Sequence, residues 1–244
     1  MTAGEAHRAM LSFPVADLQI ILGGRAPLVL APHPDDESLG CGGLLAACAA
    51  AGGRPAVLVL TDGAGSHPGS RQYPPDRLRD LRETEAAAAA AALGLEPDRL
   101  AFMRLADTAA PLHGQGFATA VATIAGFLHR WACGALLAPW RHDPHCDHLA
   151  AHAMAAEAAR QTGALHLAYP VWGWTLPVDA VLSGPAPNGY RLDIGATLPA
   201  KRRAIAAHRS QYAGLIDDDS AGFQLAAGFI DRFTQQFETF LTSP

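Results

Sequence analysis

Cysteine is scarce in this chain. Its four residues, Cys41, Cys48, Cys133 and Cys146, show no C-x-x-C spacing and are too few to staple a fold of 244 residues with disulfides, which suits a reducing compartment. Basic clusters are missing as well: KRR at 201–203 is the longest such run, and the formal net charge is -5. Binding driven by counterion release needs clustered Lys and Arg, so nucleic acid is excluded as an expected partner. The opening stretch MTAGEAHRAMLSFPVADLQI carries Glu5 and Asp17 and has no continuous apolar run. Neither a signal peptide nor stable membrane insertion is expected, and the cytoplasm is the expected location. No internal repeat or interdomain linker is visible, so residues 1–244 are read as one domain with its core at about 27–212.

What the chain does have is apolar bulk, half of its residues, enough to bury a sizeable core. Short β-type runs alternate with longer, Ala-rich segments of helical length. Strands are expected near PLVLA (27–31), PAVLVLT (55–61), RLAFMRL (99–105), GALLAPW (134–140) and LHLAYPVW (165–172), with helices near 39–51, 75–93, 116–132 and 148–162 between them. This is the pattern of βαβ units, and it predicts an α/β, Rossmann-like three-layer fold with a mostly parallel sheet. The seven-alanine run inside 75–93 reads as a tightly packed helix face. After 172 the pattern loosens into Pro- and Gly-punctuated sequence, expected to form a small antiparallel or edge addition. A helix over LPAKRRAIAAHRSQY and a C-terminal helix should follow.

Two stretches concentrate the chemistry. APHPDDES at 31–38 directly follows the first strand. His33 and Asp36 carry ligand atoms that suit zinc, and Asp35 between them could take a proton from a metal-bound water. The same acids would also serve as caps for the following helix. The second stretch, PWRHDPHCDHLAAH at 139–152, follows the fourth strand and holds four of the eleven histidines. His148 is the natural third ligand. His145 with Asp147 forms a candidate acid or oxyanion-stabilising pair, in which Asp147 would fix the tautomer of His145 and raise its basicity. In a doubly wound sheet of order 3-2-1-4-5 the loops after strands one and four flank the switch point where ligands bind.

With these residues in hand, the sequence resembles the PIG-L/LmbE family of zinc-dependent N-acetyl-sugar deacetylases. PHPDDESLGCGG at 32–43 is similar to the family's AHPDDE-x-x-G-x-G-G signature, and PWRHDPHCDHLAAH to its W-x-x-D-x-H-x-D-H pattern. Weaker echoes are TDG at 61–63, LRETEAAAAAAALG at 81–94 and KRRAIAAHRSQ at 201–211. Pro32 stands where Ala is usual and Cys146 where Pro is usual, and neither should ligate metal. The resemblance implies one zinc per chain held by His33, Asp36 and His148, with Asp35 as general base and His145 stabilising the oxyanion. It implies removal of an acetyl group from an N-acetylated amino sugar or glycoconjugate of the N-acetylglucosamine type. A homo-oligomer is allowed.

Arg71, Arg82 and Asp107 are expected at the same sheet edge as contacts for sugar hydroxyls, although a helix-surface Arg paired to Glu is the common alternative. Trp172 could stack on a sugar ring or fill the core. The spacing G-x-G-G at 40–43 reads as close helix packing, not as a dinucleotide fingerprint. Two rival readings remain. A metallo-β-lactamase-like zinc hydrolase would use H-x-H-x-D-H, where this chain has D-P-H-C-D-H at 143–148. A non-catalytic metal- or sugar-binding protein would lack Asp35 or an open coordination position.

Overall fold

The computed structural model describes residues 1–242. Two short helices open the chain, α1 (Ala3–Leu11) and α2 (Leu18–Leu22). Thr2 and Glu5 form a capping box at α1, and Asp17 accepts the Ile20 N–H at α2, so each start satisfies backbone donors that a first turn leaves unpaired. Strand and helix then alternate: β1 (Pro27–Ala31), α3 (Asp36–Ala50), β2 (Ala56–Thr61), α4 (Pro75–Ala92), β3 (Leu100–Leu105), α5 (Gly114–Arg130), β4 (Ala135–Pro139), α6 (Cys146–Thr162) and β5 (Leu165–Tyr169). The remainder supplies β6 (Gly189–Asp193), α7 (Leu198–Ala207), α8 (Arg209–Tyr212), α9 (Ala227–Ile230) and β7 (Phe237–Thr242).

The seven strands form one sheet in the order β3-β2-β1-β4-β5-β7-β6, parallel from β3 to β5 and antiparallel where β7 meets β5 and β6. Every residue of β1, β2 and β4 is buried, as expected of strands covered on both faces by helices. Alternation sends Val29, Val57 and Val59 to one face with Leu44, Leu45 and Ala89 of α3 and α4. Leu28, Leu30 and Leu58 go to the other, against Ile124 and Met154 of α5 and α6. Ala86, Ala89 and Ala90 are the buried part of the alanine run.

The glycines of α3 serve contact, not phosphate. A Cβ on Gly40 would collide with the Tyr169 ring, and one on Gly43 with the Ile194 side chain. Glu238 of β7 accepts the Gly43 and Leu44 N–H groups at 2.6 and 2.8 Å and pairs with buried Lys201 at 2.6 Å. The longest basic run is therefore partly interior.

Two expectations fail at the C-terminal end. The final helix is instead β7, inserted between β5 and β6: FETFLT is aromatic and β-branched with alternating faces, which suits a pleated surface better than a helix. The helix read over 198–212 breaks at His208, whose ψ of 58° leaves the helical region while its side chain joins a buried pair with Glu37. Among the described residues no helix is long and apolar enough to cross a membrane.

Candidate metal and catalytic site

The loops after β1 and β4 meet at the point where the strand order reverses. After β1, the Thr61 N–H and hydroxyl both donate to the Pro32 carbonyl, at 3.0 and 2.8 Å, tying the loop to the end of β2. Asp35 then adopts φ 145°, a region that non-glycine residues rarely occupy. Its backbone is held in that state: the N–H donates to Glu37 Oε2 at 3.0 Å, and the carbonyl accepts from Ser38 and Leu39. Glu37 is held in turn by the Ser38 hydroxyl at 2.7 Å and by His208 Nε2 at 3.0 Å. Arg82 reaches in from α4, donating to the carbonyls of Gly63 and Pro34 and to Asp35 Oδ2.

After β4, fully buried Asp143 accepts the N–H groups of Val171, Trp172 and Gly173 at 3.0, 3.0 and 2.6 Å. The same carboxylate takes His148 Nδ1 at 3.0 Å. His145 is the N-cap of α6, its Nδ1 accepting the Asp147 N–H at 3.2 Å, which leaves the ring proton on Nε2.

These contacts aim a donor set. His33 Nδ1 and His148 Nε2 each lie 3.2 Å from Asp36 Oδ2. Their outer nitrogens both rest on carboxylates, His33 Nε2 on Asp147 at 3.1 Å and Asp107 at 3.3 Å, His148 Nδ1 on Asp143. Such backing is how protein carboxylates orient imidazole ligands. Tetrahedral zinc with bonds of 2.0–2.1 Å requires donors about 3.3 Å apart, close to the spacing observed. His148 Nε2 is buried and makes no hydrogen bond despite its proximity to Asp36. A cation between them would satisfy it, so the residues present fit a metal. His33, His145 and His148 also present nitrogens within 4.8 Å of one another.

Electrostatics separates the two adjacent acids. Burial raises Asp35 to about 6, against the opposing pull of Arg82. Burial acts on Asp36 too, but His148 and His33 outweigh it and hold that carboxyl far below its ordinary value. His148 stands near 9 because Asp36 and Asp143 overcome its burial. Burial, with His33 and His148 nearby, lowers His145 and keeps it neutral near pH 7. All of these groups except His148 surround a cavity of about 170 Å³ whose other lining includes Arg82, Asp107, Trp172, Gln211, Phe223 and Leu225.

Several expected residues stand differently from the sequence reading. The Asp147 carboxylate makes no hydrogen bond to His145: it accepts the Thr108 and Ala110 N–H groups at 2.7 and 3.0 Å and holds His33. Its backbone N–H, donated to Nδ1, sets the His145 tautomer, while the charge of its carboxylate favours the protonated ring as expected but is outweighed by burial and by His33 and His148. Arg71 is exposed on the 66–72 loop and is not among the residues lining the cavity. Arg82 lines it, but its terminal nitrogens are occupied by loop carbonyls and Asp35. Asp107 faces the cavity while holding His33 and the Gly65 N–H. Trp172 lies on a single 3-10 turn, not a strand, stacked on Phe229 at 4.5 Å. Glu37, the acid after Asp36, holds the loop by accepting the Asp35 N–H. Sequence reasoning left Gln211 and His208 unassigned and missed Ser66, Phe223 and Leu225. The echo KRRAIAAHRSQ was the one signal that could have pointed to the first two.

The PIG-L family model, described as GlcNAc-PI de-N-acetylase, matches residues 28–159. No curated protein matches the chain significantly. Among solved structures, the conserved protein TT1542 from Thermus thermophilus is 25% identical, covering 90% of this chain and 94% of its own, with a TM-score of 0.66. The N,N'-diacetylchitobiose deacetylase from Pyrococcus horikoshii is 19% identical over 93% of this chain and 87% of its own, also at 0.66. The 4-carboxy-2-hydroxymuconate hydratase GalB from Pseudomonas putida KT2440 is 23% identical over 75% and 78%, at 0.57. The family match spans more than half of the chain and both loops of the candidate site, so the chain belongs to the PIG-L family.

Proposed function

We propose that the chain is a metal-dependent N-deacetylase, with zinc as its metal, that hydrolyses the acetamide of an N-acetylated amino sugar or glycoconjugate. The observation that carries this reading is a three-donor set (His33, Asp36, His148), of which His33 and Asp36 line the cavity, beside a raised, buried carboxyl in the same cavity that belongs to none of the pairs in that set, Asp35. The family and the chitobiose deacetylase among the structural neighbours support the substrate class. The hydratase neighbour indicates that the fold hosts more than one reaction, so function rests on the site and not on the fold.

A divalent metal bound by the three donors supplies Lewis acidity toward water and the acetamide carbonyl. Asp35, with a pKa near the working pH, removes a proton from the attacking water and returns it to the leaving amine. His145, neutral and protonated on Nε2, donates to the oxygen on which negative charge develops. Asp147 and Asp107 keep His33 oriented, and Asp143 does the same for His148. The Trp172 ring and the Asp107 carboxylate offer a stacking face and an acceptor for sugar hydroxyls.

A metallo-β-lactamase-like arrangement is disfavoured by the parallel core of the sheet. A purely binding role is disfavoured by the strain spent on placing Asp35. A cytoplasmic setting belongs to this reading and rests on four free thiols, three of them buried. The test is metal analysis of the purified protein together with acetate release from N-acetylglucosamine, N,N'-diacetylchitobiose and a panel of N-acetylated glycosides. One zinc per chain and chelator-sensitive release on any of them is expected. A zinc-loaded protein that releases acetate from none would overturn the reading.

A further inference from the structure

A residue in the cavity wall carries a buried acceptor with nothing to accept. Gln211 of α8 is 1% exposed and lines the cavity together with Ser66, Asp35 and Asp107. Its Nε2 donates to Ser210 Oγ at 3.0 Å and to Ser66 Oγ at 3.2 Å. Its Oε1 is buried and has no hydrogen-bond partner among the described residues.

The orientation of this amide follows from its neighbours. Glu85 of α4 accepts both the Ser210 N–H at 2.8 Å and the Ser210 hydroxyl at 2.6 Å. A hydroxyl has one proton, and that of Ser210 is committed to the carboxylate, so toward Gln211 it offers only lone pairs. The amide must therefore turn its NH2 to Ser210, which puts Oε1 on the opposite side. Two cavity-wall segments are anchored at the same place: the Leu225 N–H donates to the Gln211 carbonyl and the Phe223 N–H to that of Ser66, both at 2.7 Å. The amide is thus locked by charge behind it and by backbone on either side. A buried, unpaired carbonyl-type oxygen is costly unless a ligand completes it.

We propose that Gln211 is a substrate-binding residue whose Oε1 accepts a hydrogen bond from a donor on the sugar, with Glu85 and Ser210 as the positioning residues that set which end of the amide faces the ligand. This deepens the N-acetyl-sugar reading and rests on it. The donor is either a ring hydroxyl or the acetamide N–H. Substrates that replace that one group by hydrogen or an ether should be discriminated against, because they leave the acceptor unpaired.

The test compares the wild type with Gln211→Met, which keeps length and volume but has no acceptor, on N-acetylglucosamine, its 3-, 4- and 6-deoxy analogues and the 2-O-acetyl ester that lacks the N–H. Gln211→Met should raise KM and lower kcat/KM by about tenfold on the parent sugar. On one analogue, the one lacking the bonded donor, wild type and variant should be equally poor, while on the others the two losses should add. Ser210→Ala, which frees the amide to flip, should reproduce a weaker form of the same pattern, and unchanged thermal unfolding of both variants would separate it from misfolding. Losses that add on every analogue, or a Gln211→Met enzyme with wild-type KM, would overturn the proposal and leave deacetylation intact. A wild type that releases no acetate from any sugar would remove the reading and the proposal together.

Discussion

The two loops that build the site reach rigidity by opposite means. The loop after β1 is held by charged side chains arriving from other elements: Glu37 with His208 behind it fixes the Asp35 backbone, and Arg82 ties the Pro34 carbonyl to that of Gly63 in the loop after β2. The loop after β4 is held by one buried carboxylate, Asp143, that gathers three successive backbone N–H groups and a histidine. The first arrangement carries a residue at φ 145° and leaves its carboxyl half-compensated, which suits a group that must gain and lose a proton. The second is saturated and unstrained, which suits a group that only has to point a ligand.

The sharpest break of this contrast is at the ligand itself. His148→Ala should take bound zinc from one per chain to near none and abolish acetate release with it; unchanged zinc in that variant would remove His148 from the donor set. Next in size, Asp35→Asn should leave zinc content unchanged and cut kcat by about 10²–10⁴-fold, the usual contribution of a positioned base. If zinc were lost while activity persisted, both the base role of Asp35 and the metal dependence would be overturned.

Asp143→Ala should act first on stability, by about 3–5 kcal/mol in urea unfolding, since it strips a buried histidine of its partner and orphans three N–H groups. It should also weaken zinc binding about 10–100-fold, and Asp143→Asn, which keeps an acceptor, should recover part of both. The smallest effect concerns pH. Burial opposes charge on His208, but Glu37 outweighs it and raises its pKa above the ordinary 6.5. The folded state therefore holds that proton more tightly than the unfolded chain, and the stabilisation is complete below about 6.5 and lost as pH rises through the raised value. Thermal unfolding followed from neutral to alkaline pH should fall more steeply for the wild type than for His208→Gln, which donates to Glu37 without titrating; parallel curves would show the pair to be uncharged.

Much of this was legible in the chain. PLVLA, AVLVL and ALLAP are apolar throughout because both faces of those strands are covered, and the Ala-rich segments between them have helical length, so the β3-β2-β1-β4-β5 order could be anticipated and with it the meeting of residues 33–36 with 145–148. The C-terminal third was less readable. FETFLT is long enough for one strand or two helical turns, and only pairing with β5 and β6 decides between them. Asp147 was misread for a related reason: its neighbour in sequence is His145, but in α6 its side chain points across to the 108–110 loop and His33.

The sequence by itself determined the layered fold and which side chains are candidate metal donors, because both are written in local spacing: apolar runs of strand length, and His and Asp clustered just after two of them. Only the tertiary structure decided which nitrogen of each histidine faces inward, why Asp35 and Asp36 titrate in opposite directions, and that Gln211, at the wall of the site, keeps a buried oxygen without a partner. Those outcomes depend on burial and on partners both near and far in the chain, Asp143 five residues from His148 but Arg82 47 from Asp35 and Glu85 125 from Ser210, and no local pattern encodes the electric field that distant groups create once they are packed together.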